Sequence, residues 1–195
     1  MRDGITIYFI RHGETDWNAE RRYQGQRDIP LNERGRAQAR RNGEVLKALM
    51  PALASFEFVS SPLGRAIETM HIIRATLGLP VGAYRVDPRV MEVNYGAWEG
   101  QLAADLPVTD PDGIKTRLTD PFGFRPRDGE SYAELMQRTN AWIDSVDRDT
   151  VVVSHGGVSR TVRGAVLALA PAQIMTLDVP QDRVLVLTRG AARWI

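Results

Sequence analysis

The chain predicts a single α/β domain over residues 1–195, built on a mostly parallel sheet. Three observations carry this. Short β-branched and aromatic runs alternate with longer stretches at helical spacing. The polar motifs fall where those runs end and helical spacing begins, which in open α/β sheets is the edge that binds ligands. At 195 residues, 43% of them hydrophobic and 25% charged, the chain fills one core and would be cramped as two domains.

The elements follow in order. Ile5 to Ile10, Ile-Thr-Ile-Tyr-Phe-Ile, suits a buried strand. Asn32 is placed to cap a helix running to about Met50, where Pro51 stops it, with an apolar stripe of Ala39, Val45, Leu46 and Leu49. Phe56 to Ser60 is a second strand, and Pro62 then opens a helix near Leu63 that Gly78 closes. Tyr84 to Val90 reads as a third strand. Residues 101–129 hold Pro107, Pro111, Pro121 and Pro126 with three glycines, and predict a long excursion with little regular structure beyond one short helix. Helical spacing returns from Ser131 to about Val146. Thr150 to Val153 is a fourth strand, followed by a helix to about Leu169, and Arg183 to Thr188 is a last strand.

Composition narrows the function. There is no cysteine, so disulfides, thiolate metal sites and a cysteine nucleophile are excluded, and a cytoplasmic protein is expected. A net charge of +1 does not steer a whole protein onto nucleic acid. The apolar run at the N-terminus is too short for a signal sequence or a membrane span, and no other stretch approaches one. Nearly all basic residues are arginine, Lys47 and Lys115 being the only lysines. Arg21-Arg22 and Arg40-Arg41 read as solvated charges.

Four motifs carry chemistry. Arg11-His12-Gly13-Glu14-Thr15 puts a histidine at a strand end with its ring exposed, able to act as nucleophile, general base or metal ligand, or to sit as a bonded turn histidine. Ser60-Ser61-Pro62-Leu63-Gly64-Arg65 puts an arginine in a first helical turn, where the helix dipole disfavours it unless an anion is held nearby. Ser154-His155-Gly156-Gly157 repeats the first pattern, ahead of a helix N-terminus that suits anions. Glu92, in Met91-Glu92-Val93-Asn94-Tyr95-Gly96, could supply a proton to a leaving group, and Glu99 is its rival. The remaining histidine, His71, shares the Arg65 helix and reads as structural.

Together these pieces resemble the histidine phosphatase superfamily, the phosphoglycerate mutase-like proteins. The resemblance runs from the Arg11-His12-Gly13 motif through Tyr23-Gln24-Gly25, Asp28 to Asn32, Gly35, Ser60-Ser61-Pro62, Arg65-Ala66 and Glu68-Thr69 to Glu92, Tyr95-Gly96 and Ser154-His155-Gly156. It implies a three-layer α/β/α sandwich with a mixed, mostly parallel sheet. His12 matches the histidine that is phosphorylated. Arg11, Arg65 and His155 match its phosphate pocket, together with the Gly156 backbone, and Asn18 matches a phosphate contact. Gln24 and Gly25 match a substrate-lining loop, Glu92 the general acid, and Tyr95 a residue near the substrate. The arginine charges are expected to keep His12 neutral and nucleophilic, and a bound phosphate to make His155 a cation.

The superfamily holds phosphatases and mutases. Only 63 positions separate Glu92 from His155, shorter than the mutase pattern. Ala103 stands where mutases have a lysine, Arg125 and Arg127 are split by Pro126, and Gly157 replaces a common asparagine. The chain is therefore expected to be a phosphatase of small phosphorylated metabolites, needing no metal or other cofactor. The alternatives are a cofactor-dependent phosphoglycerate mutase and a non-catalytic phospho-ligand binder, the latter opposed by the presence of His12, Arg65 and Glu92 together. Residues 101–129 are expected to form a substrate flap. The sequence leaves the substrate and the oligomeric state open.

Overall fold

A computed structural model describes residues 1–49 and 55–195. Six strands form one sheet in the order β3-β2-β4-β1-β5-β6. These are β1 (Ile7–Arg11), β2 (Glu57–Ser60), β3 (Arg85–Val86), β4 (Thr150–Ser154), β5 (Val184–Thr188) and β6 (Ala191–Trp194). The first four run parallel, whereas β5 is antiparallel to β1 and β6 to β5, so the sheet is mixed and mostly parallel.

Alternation along the strands builds the layers. Ile7 and Phe9 of β1 and Val152 of β4 point to one face, and pack with Leu135, Trp142 and Ile143 of α6 (Tyr132–Ser145) and Val158 and Val162 of α7 (Gly156–Val166). Ile10, Val151 and Val153 point to the other face. They meet Leu46 of α2 (Glu33–Leu49) and Ala66, Met70 and Ile73 of α3 (Gly64–Thr76). Each such Ile or Leu, fully buried, contributes roughly 1.5–3 kcal/mol. The result is the expected three-layer α/β/α sandwich.

Local chemistry sets the helix starts. Asn32 accepts a hydrogen bond from the Gly35 N–H at 2.8 Å, as a cap should. Ser131 and Glu134 exchange the two bonds of a capping box at the head of α6. The expected stop at Met50-Pro51 lies outside the described residues.

The sequence reading needs four corrections. The third strand is only Arg85–Val86, because Asp87 turns to accept from the Arg89 N–H and Pro88 opens a short 3₁₀ turn, Pro88–Val90. Leu49, counted on the α2 stripe, is 53% exposed. Residues 101–129 hold two helices, α4 (Leu106–Thr109) and α5 (Pro111–Thr119). Each has a proline early in its first turn, where no N–H is needed, and Asp110 accepts from the Gly113 N–H to cap α5. Finally, α8 (Pro171–Met175) and β6 follow elements that the sequence pattern ended on.

Candidate active site

The central pair of strands brings the two histidine motifs together. β1 and β4 lie in register, Arg11 opposite Ser154, and the His12 N–H donates to the Ser154 carbonyl at 2.9 Å. His12 and His155 therefore leave the sheet side by side, with ring centroids 5.1 Å apart. β2 ends at the same edge, where the Ser61 N–H donates to the Val153 carbonyl at 3.0 Å and hands the chain to α3, whose first turn carries Arg65. The 3₁₀ turn after β3 delivers Glu92. Four strand ends thus converge.

They surround a cavity of about 160 Å³ lined by Arg11, His12, Asn18, Gln24, Gly25, Arg65, Glu92, Tyr95 and Gly156. His155 lies behind His12, fully buried. Two roomier grooves, of about 510 and 570 Å³, contain no histidine. The second lies at the opposite end of β2, beside Phe56 and Glu57.

The His12 ring was expected to be exposed, but it is only 2% exposed, enclosed by arginines. Its Nδ1 lies 2.7 Å from the Gly13 carbonyl, which can only accept. Nδ1 therefore carries the proton and Nε2 keeps its lone pair. Arg65 Nε donates to that nitrogen at 3.2 Å. The Arg65 guanidinium is fixed by donation to the Arg27 carbonyl at 2.6 Å and the Gly25 carbonyl at 2.7 Å. Burial, then Arg65 and Arg11, hold His12 well below the usual histidine range. Arg65 is itself pushed down to about 10 by burial, and so remains a cation at neutral pH.

His155 departs from expectation. Burial and the neighbouring Arg65, His12 and Arg11 drive its pKa well down, favouring a neutral ring. Its Nε2 lies 2.7 Å from Ser61 Oγ, while Nδ1 is buried without a partner. Arg11 Nε and Gln24 Oε1 are likewise buried without partners, although Arg11 Nη1 donates to the Val179 carbonyl at 2.6 Å. Asn18 closes a capping box with Thr15, and its Oδ1 also accepts from Gln181 Nε2 at 3.1 Å. That leaves its amide N–H groups for the cavity.

The two candidate carboxylates separate cleanly. Glu92 Oε1 accepts from the N–H groups of Gly157 and Val93, each at 3.0 Å, and faces the cavity. Glu99 Oε1 instead accepts from the N–H groups of Gln26 and Tyr95, pinning the loop that bears Gly25. Gly25 has φ +55°, and a Cβ there would collide with the Glu99 carboxylate. Arg138 supports the Glu92 segment. It donates to the carbonyls of Arg89, Met91 and Glu92 while clamped by Glu130 at 2.8 and 2.9 Å.

Sequence reasoning missed part of the wall. Arg22, read as a solvated charge, lines the cavity and donates to the Gly100 carbonyl at 2.6 Å. Tyr132, Arg160 and Val179 line it as well. A usable signal existed for Arg160, since four residues beyond Gly156 on a helix is the same face. His71 bonds the Tyr84 hydroxyl at 2.9 Å, consistent with a structural role. None of residues 101–129 lines the cavity, but Arg117 of α5 donates to the Tyr23 hydroxyl and lies 5.4 Å from the ring centroids of both Tyr23 and Trp98.

Known proteins match this arrangement along nearly the whole chain. The sequence pattern of the Histidine phosphatase superfamily (branch 1) covers residues 7–195. A glucosyl-3-phosphoglycerate phosphatase of Mycobacterium tuberculosis is 35% identical over 176 residues, 84% of this chain and 75% of that one. A protein of Yersinia enterocolitica named as a probable phosphoglycerate mutase is 33% identical over 172 residues, 86% and 77% of the two chains. The solved structure of a mycobacterial glucosyl-3-phosphoglycerate phosphatase in complex with VO3 superposes with a TM-score of 0.80 at 30% identity, covering 98% of this chain and 97% of that one. The chain belongs to the histidine phosphatase superfamily, in its phosphatase branch.

Proposed function

We propose that the protein hydrolyses phosphate monoesters of small metabolites through a phosphohistidine on His12, without a metal. The observation that carries this is the His12 tautomer. Its Nδ1–H is committed to the Gly13 carbonyl, so the lone pair of Nε2 faces the guanidinium of Arg65, beside Arg11. Phosphoryl transfer asks mainly for positioning and for neutralised equatorial oxygens, which two arginines supply. The unpartnered Arg11 Nε and His155 Nδ1 and the amide of Asn18 add donors for the same oxygens. The VO3 complex of the mycobacterial relative supports reading the cavity as an oxyanion site.

In the first step His12 Nε2 attacks phosphorus and displaces the ester oxygen, to which Glu92 gives a proton. In the second, water attacks the phosphohistidine, Glu92 takes its proton, and Nε2 leaves with its lone pair restored. Arg65 Nε exchanges its bond to Nε2 for one to a phosphoryl oxygen. As phosphate charge enters, it offsets the pressure that keeps His155 neutral.

Hydrolysis is favoured over mutase chemistry by the fate of Arg125 and Arg127. Arg125 donates to the Gly129 carbonyl and to Glu134, Arg127 is paired loosely with Asp128 on the surface, and neither lines the cavity. Nothing basic on this segment would retain a bisphosphate against water. Residues 101–129 act as a flap through α5, whose Arg117 braces Tyr23 on the cavity wall. Among the described residues no helix is long and apolar enough to cross a membrane, and a cytoplasmic metabolite pool completes the proposal.

The test is His12→Ala, assayed on a panel of phosphorylated metabolites in excess EDTA. Wild type should turn over and, with labelled substrate, keep protein-bound phosphate after an alkaline quench but lose it after an acid quench. The variant should fold and be inactive. Substantial turnover by the variant, an acid-stable label, or a metal requirement would each reject the mechanism.

A further inference from the structure

The hydrolytic reading leaves one cation on the cavity wall unused. Of the four arginines there, Arg11 and Arg65 face the reacting phosphoryl group, and Arg22 is paired with Glu20 at 2.8 Å. Arg160 forms no salt bridge among the described residues. It is half-buried on α7, one turn beyond Gly156, with the His12 ring on the same cavity.

Its guanidinium is oriented but not saturated. Nε donates to the Leu177 carbonyl at 3.0 Å and Nη1 to the Tyr132 hydroxyl at 3.3 Å, while Nη2 has no hydrogen bond among the described residues. Tyr132 Oη in turn lies 3.5 Å from Tyr95 Oη, so two phenols flank the free edge of the fork. A cation removed from water without a counter-ion is costly, and a planar fork with free N–H groups suits an oxyanion. Charge balance points the same way. Four arginines against Glu92, the only carboxylate on the wall, leave an excess of three positive charges that a phosphoryl dianion only partly neutralises.

We propose that Arg160, flanked by Tyr132 and Tyr95, is a second oxyanion subsite that holds an anionic group on the leaving alcohol, either a carboxylate or a second phosphate. This rests on the phosphatase reading and narrows it to substrates with two anionic groups. Arg160 positions the substrate; the reacting atoms meet Arg11, His12, Arg65 and Glu92.

Two matched pairs test it. 3-Phosphoglycerate differs from glycerol 3-phosphate in carrying a carboxylate, and fructose 1,6-bisphosphate differs from fructose 6-phosphate in carrying a second phosphate. Wild type should favour the more anionic member of one pair in kcat/KM by about tenfold to a hundredfold, the range for a charge-assisted hydrogen bond. The pair that discriminates identifies the group. Arg160→Met keeps the aliphatic stem and should collapse the preference to near unity, mainly through KM, and Arg160→Lys should recover part of it. Equal losses on both members in Arg160→Met would make Arg160 a brace for Tyr132 and Leu177 and overturn the proposal, as would a wild type that discriminates in neither pair. If wild type hydrolyses none of the four esters, the phosphatase reading fails by itself. Calorimetric Kd values for the same compounds then decide the subsite, which stands if discrimination is present and lost in Arg160→Met, and falls otherwise.

Discussion

Gly157→Ala places a single methyl group against the proposed general acid. A Cβ at Gly157 would lie 2.5 Å from Glu92 Oε1, with Leu135 Cδ2 at 3.2 Å and Val93 Cγ1 at 3.3 Å closing the other directions. An ordinary contact is about 3.5 Å, so the carboxylate must retreat by about 1 Å. That movement also strains its bond from the Gly157 N–H, now 3.0 Å. A displacement of this size at a reacting group costs about a hundredfold, or about 2.7 kcal/mol of barrier. Proton delivery matters most when the leaving group is a poor one. The variant should therefore lose about a hundredfold in kcat on an alkyl phosphate, and less than about tenfold on p-nitrophenyl phosphate, whose phenolate leaves without help. Stability should hold, because alanine is the better helix former by up to about 1 kcal/mol and offsets part of the strain. The assay is steady-state kinetics on both esters beside a thermal melt. Wild-type kcat on the alkyl ester, or equal losses on both esters at unchanged Tm, would refute a proton-donating Glu92 at this position.

Two further outcomes follow from the same geometry. His12 and His155 titrate well below the usual histidine range when folded, so the unfolded chain binds more protons as pH falls below about 6.5. The stability their neutral state provides is present above that pH and is lost on acidification, by up to about 2.7 kcal/mol per pH unit for the pair. Urea midpoints should fall from pH 7 to pH 5, less steeply in His155→Asn, and a flat profile would contradict the buried neutral pair. Arg117→Ala removes the bond to Tyr23 and the cation–π contacts to Tyr23 and Trp98. It should lower kcat/KM several-fold more for a bulky ester than for p-nitrophenyl phosphate, and equal effects on both would dismiss α5 as a flap.

The strand ends were legible because a β-branched run followed by Arg-His-Gly or Ser-His-Gly is a sharp change of pattern. Arg65 could be singled out because a cation in a first helical turn opposes the helix dipole. The choice between Glu92 and Glu99 was not legible. Both are acids beside Gly or Val in one loop, and only folding shows that Glu99 serves the backbone of Gln26 and Tyr95. Residues 101–129 misled because proline was weighed as a breaker, whereas Pro107 and Pro111 sit in first turns where helices tolerate it. β6, Ala-Ala-Arg-Trp, carries little intrinsic strand preference and forms by pairing with β5. Arg22 and Tyr132 reach the cavity through tertiary placement that local spacing does not encode.

The position of β1 has a consequence for synthesis. Its partners are β4 and β5, so Ile7 pairs with Thr150 on one side and Leu187 on the other. At bacterial elongation rates the nascent chain carries Ile-Tyr-Phe-Ile with both edges unpaired for on the order of 10 s before either partner exists. A flat apolar strand in that condition is an aggregation hazard. The strand that ultimately holds His12 at the centre of the sheet is thus the first made and among the last satisfied, and the chain's yield in a cell should depend on what shelters its N-terminus while the ribosome finishes.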